Sequence, residues 1–173
     1  RQRQMCIRYS RYTVHSGDGI HSVQLSGSFL NSVQTSCGFP TIGDWVLLDA
    51  AEHEEGTLVE GVLERTSLFT RQAAGKTSDE QLIAANIDFL FLIAGLDQDF
   101  NPRRIQRFLA QAMNSGAQPV IILNKSDLVG DPEETIQDLR HEIPDTPIHA
   151  VSALYRHDLE CLNPYLQIGK TIA

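Results

Sequence analysis

The sequence predicts a small β-barrel followed by an α/β domain that contains a parallel sheet. About the first 65 residues contain short segments of strand character separated by turn residues, with no helical periodicity. From Leu82 onward, apolar runs alternate with amphipathic helical segments, which is the pattern of parallel strand–helix units. At 173 residues, the chain is long enough for one large or two small domains.

The barrel is predicted over residues 1–69. The turn residues Ser16–Gly19 separate two strand-like segments and predict a hairpin. Because several short strands follow one another closely, an OB-type barrel is the preferred fold and a plain β-sandwich the alternative. The predicted strands are 11–15, 21–29, 43–49 and 56–63. The residues expected in the barrel core are Phe29, Trp45, Val46, Leu48, Leu58 and Val62.

Residues 70–81 are polar and aperiodic, so we predict that they form a linker. The α/β domain then occupies residues 82–173. Asn101 is a helix-capping residue, Pro102 suits the first helical position, and Gly116 suits the end of that helix. Its apolar face is predicted to be Ile105, Phe108, Leu109, Ala112 and Met113. The predicted strands are 87–96, 119–124 and 147–151, and two further helices are predicted from Asp131 and near 157–166.

Composition indicates an ordinary globular protein, with 42% hydrophobic and 21% charged residues. No apolar run reaches the roughly 20 residues that span a bilayer, so no membrane contact is expected. The cysteines Cys6, Cys37 and Cys161 are isolated and odd in number, which favours a reducing cytosol over disulfides or zinc. We therefore expect a cytoplasmic monomer.

The charge is uneven along the chain. The net charge is −8, and residues 78–173 carry most of it, with 7 basic against 14 acidic side chains. A nucleic-acid-binding protein normally has a basic face, which this composition does not favour. The local basic cluster is Arg1, Arg3, Arg8 and Arg11, and a solvated chain end is the preferred interpretation of it.

The motif Asn124–Asp127, N-K-S-D, directly follows a predicted buried strand. GTPases recognise guanine with N-K-x-D at this position. The Asp127 carboxylate can accept two hydrogen bonds from the N1–H and the N2 amine of guanine, a pair that adenine cannot donate. Asn124 would join the loop and reach N7, and the stem of Lys125 would lie along the base, while Ser126 occupies the variable position. These features predict a guanine site.

A second element supports the same interpretation. Ser152 and Ala153 follow the next predicted strand, where GTPases place an S-A-x segment whose backbone N–H meets guanine O6. The phosphate loop G-x-x-x-x-G-K-[ST] is not found. Two G-K-T triplets occur, ending at Thr77 and Thr171, but the required first glycine is replaced by Thr70 or by Pro164. A β-barrel upstream of the guanine motif, with no phosphate loop before it, indicates a circularly permuted GTPase.

Further segments carry a family resemblance along nearly the whole chain. They are 40–45 (PTIGDW), 65–77 (RTSLFTRQAAGKT), 84–88 (AANID), 95–101 (GLDQDFN), 103–105 (RRI) and 114–120 (NSGAQPV). Together with the guanine motif, these segments resemble the ribosome small subunit-dependent GTPase A family, also called RsgA or YjeQ.

The resemblance implies an OB-fold, a circularly permuted GTPase domain and a C-terminal zinc domain. It implies a factor that binds GTP or GDP with Mg²⁺, binds the small (30S) ribosomal subunit and its rRNA, and hydrolyses GTP late in subunit maturation. By position, Asn124, Lys125 and Asp127 match the guanine motif, and Ser152 and Ala153 match the second loop. This chain ends just before the family's phosphate loop and lacks its zinc ligands. We therefore expect no catalytic residue and no metal ligand within it, and no GTP hydrolysis by the chain alone.

Two other functions remain as alternatives. The chain could be an RNA- or ribosome-binding module in which the nucleotide site is vestigial. It could also belong to another phosphate-loop enzyme, such as an ATP-using kinase, but the Asp127 carboxylate argues against adenine because adenine has no N1–H donor.

Overall fold

The computed structural model describes residues 11–49, 57–72 and 80–173. The predicted basic residues Arg1, Arg3 and Arg8 lie outside the described residues. So do residues 73–79 of the predicted linker, which include the first G-K-T triplet.

The N-terminal sheet has four strands in the order β1-β2-β4-β3. The elements of this region are β1 Tyr12–Ser16, β2 Gly19–Leu25, α1 Gly27–Ser32, β3 Val46–Leu48 and β4 Leu58–Val62. Strands β1 and β2 form the predicted hairpin, with Ser16 opposite Gly19 at its turn. Strand β4 pairs parallel with β2 and antiparallel with β3, so the sheet is mixed.

The predicted strand 21–29 is too long, and the expected absence of helix is wrong. Strand β2 ends at Leu25, and Ser26 then caps the short helix α1 by accepting the N–H of Phe29 at 3.1 Å. A helix of six residues is too short to show an apolar period in the sequence. A serine before the glycine was the available signal for the cap.

The predicted core is correct for Phe29, Val46 and Leu48, which pack against the buried residues Val23, Leu25 and Val59. Leu58 and Val62 are half-buried. Trp45 is wrong, because its side chain is 70% exposed. Successive residues of a strand point to opposite faces, so Val46 and Leu48 on the inner face place Trp45 and Leu47 on the outer face.

The predicted linker 70–81 overlaps strands at both of its ends. Strand β5 covers Leu68–Gln72 and strand β6 covers Glu80–Ala85, and the two pair antiparallel. The sequence did not reveal this ribbon because the strand residues that fall inside the predicted linker are mostly polar: residues 70–72 and 80–81 are polar and frame the aperiodic segment between them. Only Phe69 and Ala84 pack against a buried cluster, which is centred on Ile87, Leu90 and Ala112.

The predicted parallel sheet is confirmed, with strands in the order β7-β8-β9. Its elements are β7 Phe89–Gly95, α2 Pro102–Ser115, β8 Gln118–Asn124, α3 Pro132–Glu142 and β9 Ile148–Ala150, followed by a 3₁₀ segment Arg156–Leu162. The central strand β8 is buried on both faces from Val120 to Leu123. On the free edge of β7, Ile172 forms a parallel bridge with Phe89.

Helix α2 begins and ends where the sequence predicts. The Asn101 carboxamide oxygen accepts the N–H of Arg104 at 3.2 Å, and Gly116 adopts a φ of 85°. Ile105, Leu109 and Ala112 are buried as predicted, but Phe108 and Met113 are exposed. The stripe that faces the sheet is narrower than the run of apolar residues. No helix in residues 11–49, 57–72 or 80–173 is long and apolar enough to cross a membrane.

His149 lies in an aromatic cluster on one face of the parallel sheet. Its Nε2 is 2.9 Å from the hydroxyl of Tyr165, whose ring packs edge-on against Phe89 and Phe91. Burial lowers the pKa of His149 below its ordinary value of 6.5, and Arg140 lowers it further. The folded protein therefore favours neutral His149.

We expect the protein to lose stability as the pH falls below about 6.5. In that window the unfolded chain binds a proton at His149 more readily than the folded chain, so acid favours unfolding until the pH passes the lowered folded pKa. Thermal unfolding between pH 5 and pH 8 measures the slope. The slope should flatten in His149→Gln but not in the control His141→Gln, which changes an exposed histidine. Equal slopes in both variants would contradict this assignment.

Candidate functional site

The predicted motif Asn124–Asp127 lies where the central strand of the parallel sheet ends. Strand β8 ends at Asn124, Lys125 adopts the left-handed conformation with φ 64°, and Ser126–Leu128 form one 3₁₀ turn. A positive φ is uncommon outside glycine and marks a sharp change of chain direction. After this turn, the N–H of Ser126 reaches the carbonyl of Val151 at 3.1 Å. The backbone therefore links the motif to the chain that follows β9.

Asn124 connects the ends of three strands. Its carboxamide oxygen accepts the N–H of Lys125 at 2.8 Å and the N–H of Ala153 at 3.0 Å. Its backbone carbonyl accepts the N–H of Leu96, just after β7, at 2.8 Å. The carboxyl ends of parallel strands meet at one edge of a sheet, which is where open α/β sheets bind ligands. Asn124 fixes the relative positions of the loops at this edge.

Asp127 is exposed but held in place by a buried serine. The Ser152 hydroxyl, in a residue only 1% exposed, donates to Oδ1 of Asp127 at 2.5 Å. Ser152 is itself fixed, because its N–H donates to the Asp158 carboxylate at 3.2 Å. Within the described part of the chain, the second carboxylate oxygen of Asp127 has no hydrogen-bond partner. Asp127 is thus an oriented, solvent-facing acceptor.

The structure brings together the predicted residues of both loops. The backbone N–H that is available to a ligand differs from the sequence prediction, however. The N–H of Ala153 already donates to Asn124. In the next residue, Leu154, the N–H has no acceptor among the described residues, and the side chain is exposed. Leu154 is therefore the available backbone donor of this loop. The sequence named only Ser152 and Ala153.

Lys125 forms an ion pair that the sequence analysis missed. Its Nζ lies 2.5 Å from Oδ2 of Asp97, and the other oxygen of Asp97 accepts the N–H of Asp99 at 3.1 Å. The hydrogen bond from Lys125 holds the pKa of Asp97 below its ordinary value, and the same bond raises the pKa of Lys125. The sequence signal for this pair was the position of Asp97. It is the first polar residue after β7, and the carboxyl ends of β7 and β8 lie side by side.

An open cleft of about 690 Å³ lies beside these loops. Asn124, Lys125, Asp97 and Arg104 line it together with apolar residues of β7 and α2, whereas Asp127, Ser152 and Ala153 are not among the described residues that line it. A cleft bordered by polar groups at the carboxyl ends of parallel strands has the form of a small-molecule site.

The second G-K-T triplet makes structural contacts at the amino ends of the strands, opposite the carboxyl ends where the Asn124–Asp127 motif lies. Lys170 Nζ pairs with Oδ1 of Asp88 at 2.8 Å, and the N–H of Thr171 donates to Oδ2 at 2.9 Å. Asp88 precedes β7 and so lies at the amino end of the sheet. These contacts fasten the segment beside β7, away from the cleft.

Comparison with known proteins gives a consistent result. A family model described as RsgA GTPase matches residues 62–173. A protein of Leptospira interrogans named small ribosomal subunit biogenesis GTPase RsgA is 38% identical over 165 residues, which is 95% of this chain and 44% of that protein. A protein of Methanosarcina acetivorans with the same name is 41% identical over 134 residues, covering 78% of this chain and 36% of that protein. The chain thus spans less than half the length of these curated relatives.

Two solved structures share the fold. YloQ, described as a circularly permuted GTPase, has a TM-score of 0.65 at 24% identity and covers 94% of this chain and 54% of its own. YjeQ from Thermotoga maritima has a TM-score of 0.69 with the same identity and coverage. The parallel sheet therefore has the fold predicted from the order of the motifs. With the family model matching well over half of its residues, the chain belongs to the RsgA GTPase family.

Proposed function

We propose that this chain supplies guanine recognition in a GTP-binding, GTP-hydrolysing factor for late maturation of the small (30S) ribosomal subunit in the cytoplasm. The observation that carries the proposal is the pairing of Ser152 with Asp127, which orients an exposed carboxylate at the carboxyl edge of the parallel sheet. Support comes from the relatives, which are named small ribosomal subunit biogenesis GTPases.

Each residue of the site has a proposed part in holding the base. Asp127 accepts from N1–H and the N2 amine, and adenine would leave this acceptor unsatisfied. The carboxamide oxygen of Asn124 is already engaged, so its NH₂ group is left to donate to N7. The stem of Lys125 lies along the base, with Ser126 as a spacer. Because Ala153 donates to Asn124, the N–H of Leu154 is the proposed donor to O6.

Hydrolysis needs groups that this site does not contain. Mg²⁺ would neutralise charge on the phosphates of GTP, and a phosphate loop would cradle them. We assign both functions to parts of the protein outside the described residues. Among the described residues, no group of three or more His, Cys, Asp or Glu could hold a metal ion.

The N-terminal region, proposed as an OB-fold over residues 1–69, is the proposed contact with rRNA. Trp45 and Leu47 of the outer face lie beside Leu63, whose N–H donates to the Trp45 carbonyl at 2.8 Å, and all three side chains are exposed. An exposed aromatic ring on a sheet is a surface on which unpaired bases stack. The GTPase portion is proposed over residues 82–173, and the predicted linker 70–81 begins within β5 and ends within β6.

Co-sedimentation with purified ribosomal subunits tests the function. The intact protein should sediment with small but not large subunits, more strongly with a non-hydrolysable GTP analogue than with the ATP analogue, and less strongly as salt rises. Trp45→Ala should weaken subunit binding roughly tenfold, as for one lost base-stacking contact. The matched control is Leu30→Ala, which removes an exposed apolar side chain of α1. Nucleotide-independent binding to both subunits would refute the proposal and favour a vestigial nucleotide site.

A further inference from the structure

Asp97 and Lys125 meet over a glycine at the end of strand β7. A Cβ added to Gly95 would lie 3.0 Å from Oδ2 of Asp97 and 3.4 Å from Cδ of Lys125. The stem of Lys125 thus passes directly over the backbone at Gly95, and its ammonium ends on the Asp97 carboxylate. The glycine is what permits this close approach.

The carboxylate of Asp97 is itself fixed. Its Oδ1 accepts the N–H of Asp99 at 3.1 Å, which closes a turn two residues long and orients Oδ2 toward Lys125. Lys125 is fixed at its other end, because its N–H donates to the Asn124 carboxamide. A lysine side chain ordinarily has many rotamers, and holding both ends selects one of them.

Lys125 lies two residues from a second carboxylate, that of Asp127 in the same motif. Asp127 and Asp99 both attract the Lys125 ammonium through space, although the hydrogen-bonded partner is Asp97. Asp127 is exposed and has one carboxylate oxygen without a hydrogen bond among the described residues. An ammonium that moved to this oxygen would block the acceptor on which base recognition depends.

We propose that Asp97 is a positioning residue of the nucleotide site, which holds the Lys125 ammonium at the β7 side of the cleft and so keeps Asp127 open to guanine. The stem of Lys125 is thereby laid out as an apolar surface for the base. This inference rests on the proposed guanine-binding function. It adds a specificity-determining role for a carboxylate outside the N-K-S-D motif.

The test is a double-mutant cycle on the intact protein, with GDP and ADP affinities measured by calorimetry. Asp97→Asn keeps an acceptor for the Asp99 N–H but removes the charge, and it should weaken GDP binding about five- to tenfold, the size of one charge-assisted contact. Lys125→Met keeps the stem without the ammonium. In that background Asp97→Asn should have no further effect on GDP affinity, because Asp97 acts through Lys125. The control Asp145→Asn, in an exposed aspartate outside the site, should change GDP affinity less than twofold.

A direct signature separates positioning from general structural damage. In ¹⁵N-lysine-labelled protein, the Nζ chemical shift of Lys125 should change in Asp97→Asn because the ion pair is lost, while thermal unfolding stays unchanged. GDP affinity within twofold of wild type in Asp97→Asn would overturn the inference. An equal loss of affinity with and without Lys125→Met would also overturn it. Wild-type protein that does not prefer GDP to ADP would instead refute the guanine site itself.

Discussion

Asp127→Ala is expected to abolish the preference for guanine. In the intact protein the substitution should weaken GTP binding by roughly 2–4 kcal/mol, the cost of losing a charged hydrogen-bond pair, and should leave ATP binding nearly unchanged. The basis is geometric: Asp127 is exposed, and Ser152 orients its carboxylate from the buried side. Titration with fluorescent GTP and ATP analogues measures both affinities.

A second substitution at the same position gives a change of specificity in place of a loss. Asp127→Asn should shift the preference toward xanthine nucleotides, because the amide can donate to the C2 oxygen that replaces the amine. Asp145→Ala is the matched control, since it removes an exposed aspartate outside the site. GTP affinity that is the same in Asp127→Ala and in wild type would exclude Asp127 from base recognition.

Ser152→Ala should have a smaller effect in the same direction. It leaves the Asp127 carboxylate in place but removes the hydroxyl that orients it. The larger effect of Asp127→Ala than of Ser152→Ala follows from this geometry and cannot be predicted from the sequence motif alone.

The elements that the sequence predicted correctly are those with local causes. Asn101 and Pro102 begin α2, and Gly116 ends it, because caps and the left-handed conformation depend on a few neighbouring residues. The meeting of Asp127 with Ser152 was also predictable, since both follow buried strands whose carboxyl ends share an edge.

The elements that the sequence did not predict depend on contacts between distant segments. The pair Asp97–Lys125 joins residues 28 positions apart, and the sequence does not indicate which carboxylate pairs with the lysine. The outward position of Trp45 depends on which face of β3 packs inward, and alternation alone does not decide it. Strands β5 and β6 exist because they pair with each other, although their ends at residues 70–72 and 80–81 are polar.

The same limit applies to the segments that carried the family resemblance. The segments PTIGDW and RTSLF indicate the family as patterns, but the patterns alone do not show what their residues contact. In the structure they meet, because Arg65 of the second segment enters the loop that contains Asp44 of the first. Gly43 lies so close to Ala85 that a Cβ there would be 2.3 Å from the Ala85 carbonyl oxygen. The segments therefore form one junction between the N-terminal sheet and the strand β6.

Arg65 and Asp44 form the most buried ion pair among the described residues, with side chains 15% and 1% exposed. The guanidinium donates to both carboxylate oxygens at 2.7 Å, and also to the carbonyls of Cys37 and Phe39 at 2.5 and 2.8 Å. Asp44 additionally accepts the N–H of Thr41 at 2.8 Å. The hydrogen bond to Asp44 is the main reason that the pKa of Arg65 is raised, so the pair stays charged.

Asp44→Ala is therefore expected to lower the free energy of unfolding by about 3–5 kcal/mol, because it leaves a guanidinium in a largely buried site without its counter-charge. Arg65→Lys should also destabilise the protein, since one ammonium cannot donate to two carboxylate oxygens and two carbonyls in this planar arrangement. The control is Arg140→Ala, which breaks a pair with Glu133 whose side chains are 54% and 51% exposed and should cost less than about 1 kcal/mol. Urea unfolding followed by far-ultraviolet circular dichroism measures all three. Losses of similar size in Asp44→Ala and Arg140→Ala would show that the Arg65 pair contributes no more than a surface contact, and the junction would then owe its stability to the close packing at Gly43.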